Sequence, residues 1–343
     1  MIDLRSDTVT MPSNEMKKIM FSSPLGDDVY GEDPSINKLE NLAKTIFNKE
    51  SALFVPSGTM ANLISVLSHC DRGDEVLLGN KSHIFFYEAG GISAFGGVHS
   101  HQLNNNDDGT INLQDIKNGI RFNKDAHFPK TKLLCLENTH NICYGNPINS
   151  EYFVNVKEII KKHNIKLHID GARIFNAASA LNTEVKKLTS EADSVSFCLS
   201  KGLSCPAGSV IVGNTNFIDK ARRIRKALGG GMRQAGILAS AGIYALKNLT
   251  QRLSDDHNNA QKLANELNNI NGVKINLDYI KTNIIFFYLS DVVKLTDNEF
   301  LNKLLEKNIK IDSKGNSRFR IVTHSNFNEK DIGTVVSAIK SII

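Results

Sequence analysis

Through the first two-thirds of the chain, short apolar runs alternate with stretches of helical spacing. No other sequence feature limits the possible fold as much. The runs cover residues 52–55, 75–78, 132–136, 166–169, 194–197 and 208–212. They read as buried strands of a sheet covered on both faces. Between them lie helical patterns. Ile36, Leu39, Leu42, Ala43 and Ile46 recur on one face behind a capping Ser35, and residues 60–67 and 154–163 behave alike. Strands separated by helices are joined by crossovers, which predicts an α/β fold with a large, mostly parallel sheet flanked by helices. Past Gly229-Gly230-Gly231 the pattern changes. A long helical stretch over 237–264 leads to strands at 283–289 and 318–322, a helix at 297–307 and a last helix from Asn328. These predict a smaller C-terminal α/β domain. Because 343 residues exceed what one core usually organises, the expected division is an N-terminal arm (1–15), a large cofactor-binding domain (16–245) and a small C-terminal domain (246–343).

Composition removes several function classes. The 41 Lys+Arg against 36 Asp+Glu leave a net charge of +5, with no basic stripe, no aromatic platform and no Trp. A nucleic-acid surface is not expected on that pattern. No run of roughly 18 apolar residues occurs, and the start, Met1-Ile2-Asp3-Leu4-Arg5, is too polar for a signal peptide. Five cysteines (Cys70, Cys135, Cys143, Cys198, Cys205) without a Cys-x-x-Cys pair read as reduced thiols. A cytoplasmic protein with no membrane partner is the expectation.

Three predicted strands end in residues able to do chemistry, and open α/β sheets bind ligands at such ends. Ser57-Gly58-Thr59 combines a tight turn with a helix start, whose free amides suit a phosphate or simply make a capped helix. Asp170 ends the run His168-Ile169-Asp170 and can cap a helix, pair with Arg173 or face a cationic ring nitrogen. Lys201 follows the strand at 194–197. It can reach solvent, or, held in the site, form an imine with an aldehyde. Together the three supply what pyridoxal phosphate needs: an anion cradle, a partner for the pyridine nitrogen and an amine. His99-Ser100-His101 lacks a carboxylate or cysteine at ligand spacing, so it reads as a loop or edge strand and no metal site is expected.

Several longer motifs carry a resemblance. They are Asp3-Leu4-Arg5-Ser6-Asp7-Thr8-Val9-Thr10, Gly26-Asp27-Asp28-Val29-Tyr30-Gly31, Leu136-Glu137-Asn138-Thr139-His140-Asn141, His168 to Arg173, Leu199-Ser200-Lys201-Gly202 and Gly229-Gly230-Gly231-Met232-Arg233-Gln234-Ala235-Gly236. In this order the chain resembles the low-specificity L-threonine aldolases, pyridoxal-phosphate enzymes of the aspartate-aminotransferase-like fold. The resemblance implies cleavage of L-threonine, L-allo-threonine and related β-hydroxy-α-amino acids to glycine and an aldehyde through a Schiff base. Another pyridoxal-phosphate enzyme of the same fold, such as a β-eliminating lyase, a transaminase or a racemase, is the alternative.

Residue roles follow from the same resemblance. Lys201 would hold the cofactor, Asp170 would keep its ring nitrogen protonated, and His83 would stack on the ring. Gly58 and Thr59 would bind the phosphate, helped by Lys226 or Arg233 from a neighbouring subunit. Ser6, Arg173 and Arg320 would hold the substrate carboxylate, with Arg318 a second candidate beside Arg320. Tyr30 would reach in from a second subunit, and His127 would lie near the β-hydroxyl with His83. A homo-oligomer is implied, a tetramer built from dimers with shared active sites.

Overall fold

The computed structural model describes residues 1–121 and 125–343. A short strand β1 (Ile2–Asp3) begins the chain. The main sheet then takes β2 (Ser51–Val55), β3 (Glu75–Gly79), β4 (His99–Leu103), β5 (Thr131–Glu137), β6 (Lys166–Asp170), β7 (Ser194–Cys198) and β8 (Ser209–Gly213). The remaining strands are β9 (Val273–Lys274), β10 (Ile284–Leu289), β11 (Ile309–Lys310), β12 (Asp312–Ser313) and β13 (Arg318–Val322).

The large sheet has seven strands among the described residues, in the order β2-β8-β7-β6-β5-β3-β4. Its pairings are parallel except those made by β8, which runs against both of its neighbours. The expected mostly parallel α/β sheet is therefore the observed one. Alternate residues of one strand enter different cores. Leu134 and Leu136 of β5 join the largest cluster, while Leu133 and Cys135 join another on the opposite face. Both faces are covered, which is why a strand such as β5 reads as a continuous apolar run. The pair His99 and His101 lies on β4, the edge strand.

The long helical stretch expected over 237–264 is two helices, Gly236–Asn248 and Leu253–Asn268, broken at residues 249–252. The second helix packs with β10 and the final helix Glu329–Ile342. These elements enclose a separate apolar cluster containing Leu263, Phe287, Phe300, Phe319 and Ile339. The small sheet is antiparallel, in the order β12-β13-β10-β9. The N-terminal arm ties into this part: β1 pairs with β11, and Leu4 is fully buried in the same cluster. Among the described residues no helix is long and apolar enough to cross a membrane.

Candidate active site

The carboxyl ends of β5, β6 and β7 share one edge of the large sheet, and each carries or leads to a polar residue. Glu137 lies opposite Asp170 across β5 and β6, and Asp170 lies opposite Ser196 across β6 and β7. Lys201 follows β7 by three residues, and its carbonyl accepts from Thr10 Oγ1 at 2.9 Å and from the Ser204 amide. Asp170 is 3 % exposed. Burial pushes its carboxyl up, but the positive charges of His83 and Lys201 and the Asn62 hydrogen bond outweigh burial and leave the pKa low. An ionised carboxylate thus sits at the centre of the edge. It accepts at 2.8 Å from Asn62 Nδ2 and at 3.0 Å from the Ala172 amide. Two of its four lone-pair positions remain.

His83 starts a short helix, His83–Phe86, just beyond β3. Its Nδ1 lies 2.8 Å from Glu88 Oε1, and its amide donates to Glu137 Oε2 at 2.8 Å. Burial disfavours the charged ring, but the Glu88 hydrogen bond and the surrounding carboxylates win and raise its pKa. His83, Glu88 and Asp170 lie within 4.8 Å of one another.

Ser57, Gly58 and Thr59 form the start of the helix Gly58–His69. Ser57 Oγ caps the Met60 amide, leaving the Gly58 and Thr59 amides without a partner among the described residues. A Cβ on Gly58 would stand 2.8 Å from Cys198 Sγ, so the turn is pressed against the end of β7. Two free amides, the helix dipole and an ionised strand-end carboxylate fit a phosphorylated, cationic-ring cofactor.

The arginines are placed unequally. Arg173 is buried and donates from Nε and Nη2 to Asp7 at 2.8 and 2.7 Å. Its fork is engaged within the chain, not left open. Asp7 is fully buried, which raises its pKa, yet Arg173 and the charges of Lys201 and Arg320 bring it down to about 2. Arg320 is 7 % exposed and donates to Asn141 Oδ1 (2.7 Å), the Arg5 carbonyl (2.9 Å) and Asp312 Oδ2 (3.0 Å). Arg173 and Arg320 feel each other's charge, so two cations converge beside Asp7. Arg318 instead lies over the Phe286 ring at 4.1 Å and donates to the Ile142 carbonyl. Ser6 caps a short turn over Asp7–Val9.

The remaining residues singled out by the sequence do not join this cluster in one chain. Lys226 and Arg233 flank the glycine turn, exposed, with Arg233 bonded to Asp27 at 3.0 Å and lying over the exposed Tyr30 ring at 5.8 Å. Gly230 of that turn backs onto Met60, next to the phosphate cradle. His127 lies away from this cluster within its own chain. It sits on an exposed turn, 2.6 Å from Asp125, just before the amino end of β5. The strand's seven residues separate it from the carboxyl edge by roughly 20 Å. The chain does not bring its own His127 to Lys201.

Sequence reasoning missed Asn62, Asp7 as the partner of Arg173, and Asn141 as the partner of Arg320. Asn62 did leave a signal: an amide inside the apolar run Ala61-Asn62-Leu63-Ile64 has no reason to be there unless it is bonded.

Residues 3–290 match the family described as beta-eliminating lyase. The chain is 48 % identical to "Low-specificity L-threonine aldolase 1" of Arabidopsis thaliana over 98 % of this chain and 94 % of that one. It is 43 % identical to the low specificity L-threonine aldolase of Escherichia coli O157:H7, over 98 % of each. Among solved structures, a threonine aldolase of Leishmania major superposes with a TM-score of 0.82 at 20 % identity, covering 100 % of this chain and 99 % of that one. A serine palmitoyltransferase of Sphingomonas wittichii reaches 0.78 at 17 % identity over 99 % and 86 %, which shows a shared fold.

Proposed function

Since the chain belongs to the low-specificity L-threonine aldolases of the beta-eliminating lyase family, we propose that it cleaves L-threonine, L-allo-threonine and related β-hydroxy-α-amino acids to glycine and an aldehyde, with pyridoxal 5'-phosphate as cofactor. The observation that carries the site assignment is the edge itself: a buried, ionised Asp170, together with Lys201 and the free amides of Gly58 and Thr59. Pyridoxal phosphate, when bound, supplies an electron sink for the pair released as the Cα–Cβ bond breaks.

The protein's part is placement and charge. Lys201 would offer the amine that holds the cofactor, the Gly58 and Thr59 amides would hold its phosphate, and Asp170 would set a negative charge opposite the ring nitrogen. Arg320, with Ser6 and Arg173, draws the substrate carboxylate to the cationic side of the site. Binding there orients the bond to be broken. His83 would pack over the ring and would take the β-hydroxyl proton at Nε2, because Nδ1 is engaged by Glu88. Glu88 then stabilises the imidazolium that forms. His127, Tyr30, Lys226 and Arg233 complete the site from a neighbouring subunit, in a homo-oligomer built from dimers and assembled as a tetramer. The exposed rings of Tyr30, Phe86 and Phe95 support such a contact. The arm at 1–15, the cofactor-binding unit at 16–245 and the small unit at 246–343 divide the labour, in a cytoplasmic enzyme that yields glycine.

Incubation of the purified protein with threonine and cofactor tests this. Acetaldehyde and glycine in equal amounts are expected; ammonia and a 2-oxo acid instead would move the chain to elimination. Lys201→Ala is expected to abolish cleavage and the borohydride-sensitive visible band while keeping the circular dichroism of the native fold. Near-normal turnover in that variant would overturn the lysine assignment.

A further inference from the structure

Beneath the ionised carboxylate lies a polar chain on a face of the sheet that never meets solvent. In β6 and β7, Leu167, Ile169, Val195 and Phe197 enter the main core, so His168, Asp170, Ser194 and Ser196 point to the other face. The helix Gly58–His69 covers that face, and its Asn62 is 2 % exposed. Asn62 Nδ2 donates at 2.8 Å to Asp170 Oδ2 and at 2.8 Å to Glu88 Oε1. Its Oδ1 accepts from Ser196 Oγ at 2.8 Å and lies 3.3 Å from His168 Nε2. Two donors and two acceptors exhaust a primary amide.

The direction of these bonds follows from the carboxylate end. Exchanging the amide's oxygen and nitrogen would set a carbonyl against two carboxylate oxygens, so the nitrogen faces Asp170 and Glu88. The oxygen then needs a hydrogen on His168 Nε2. A neutral imidazole protonated there must accept at Nδ1, which lies 2.9 Å from Ser194 Oγ. Ser194 therefore donates to His168 and accepts from His69 Nε2, 2.8 Å away. Burial keeps both rings neutral, lowering His168 to about 4 and His69 to about 3.

We propose that Asn62 is a positioning residue for the cofactor-facing carboxylate: its amide holds Asp170 and Glu88 as two separate acceptors, and the chain His69–Ser194–His168 locks the amide in that direction. The proposal rests on the reading of Asp170 as the partner of the ring nitrogen. Besides Glu88, the groups facing Asp170 are His83, Lys201, its strand neighbour His168 and Glu137 on β5. Without the amide, Asp170 and Glu88 would face each other with no hydrogen between them, and the pair would share a proton. That removes one negative charge from beneath the ring and loosens the hold of Glu88 on His83.

The first test uses the unaltered holoenzyme. Nitrogen-15 NMR of its histidines is expected to show His168 and His69 as Nε2–H tautomers that do not titrate between about pH 6 and 8. An Nδ1–H tautomer at His168 would reverse the amide and overturn the proposal, whatever the protein does to threonine. The second test is Asn62→Leu. Its affinity for pyridoxal phosphate is expected to fall roughly tenfold or more at pH 7, with a new pH dependence in the visible band that the parent lacks. A folded Asn62→Leu protein with parental cofactor affinity and an unchanged band across that range would also overturn it. Failure to cleave threonine, with the tautomers as stated, would instead count against the functional reading alone.

Discussion

Two arginines two positions apart on β13 show how neighbours decide a residue's work. Arg318 and Arg320 share chemistry and point to the same face of the strand, yet one lies over Phe286 and the other reaches Asn141, Arg5 and Asp312. Arg320→Lys is expected to raise KM for threonine by roughly tenfold or more, because a fork making several charge-assisted bonds becomes a single point charge. Arg318→Leu is expected to lower stability by about 1–2 kcal/mol in urea unfolding while moving KM far less. Equal effects on KM would overturn the choice between them. His83 carries the pH dependence. Its pKa is raised, with Glu88 the main cause acting against burial, so it is protonated at low pH and becomes a base as pH rises. Glu88→Gln is expected to shift the acidic limb of kcat/KM to lower pH; an unmoved limb would mean another group titrates. The residue types at the strand ends were legible in the sequence because strand ends project ligands. Their partners were not: Asp7 meets Arg173, and Arg5 meets Arg320, only through chain reversals that no local pattern records.

At the scale of one element, the helix Gly58–His69 does three jobs at different depths. Its first turn offers free amides, Asn62 meets two carboxylates, and His69 closes the polar chain at the far end. The apolar spacing of 60–67 was enough to read the helix, and Ser57-Gly58-Thr59 enough to read its start. What it covers was hidden. His168, Asp170, Ser194 and Ser196 alternate with apolar residues as they would on a solvent-facing strand, but the polar half faces this helix. The turn is tight as well. Gly58→Ala is expected to weaken cofactor binding in apoenzyme titration, because its Cβ would stand 2.8 Å from Cys198 Sγ. Adding Cys198→Ala is expected to restore part of the loss. No restoration would show that the backbone amides, and not this contact, are disturbed.

Across the whole molecule, the arm fastens the small sheet to the large one. Leu4 fills the small core, His324 bonds the Asp3 carbonyl at 2.7 Å, and Asp7 pairs with Arg173 beside the large sheet. Acid should loosen this assembly in a defined window. Burial lowers His69 to about 3 and His168 and His257 to about 4. The unfolded chain therefore binds more protons below about pH 6.5, and stability falls as pH falls, by about 2 kcal/mol per histidine at pH 5. Asp256, raised to about 6 chiefly by burial, works in the opposite direction and offsets part of that loss. Asp7, lowered to about 2, keeps its full contribution above about pH 4 and loses it progressively as pH falls from there towards 2. Urea midpoints that decline from pH 7 to pH 5 are expected; a flat profile would contradict the neutral buried histidines. By itself the sequence determined the parallel sheet, the smaller C-terminal unit and the carboxyl edge with Gly58, Asp170 and Lys201, because periodicity and strand ends are local properties. Only the tertiary structure decided which arginine faces the site, that His127 lies at the opposite edge of its own chain, and that Asn62 joins Asp170 to Glu88. Those outcomes depend on which side chains share a buried space, where every donor must find an acceptor however far away it lies in sequence.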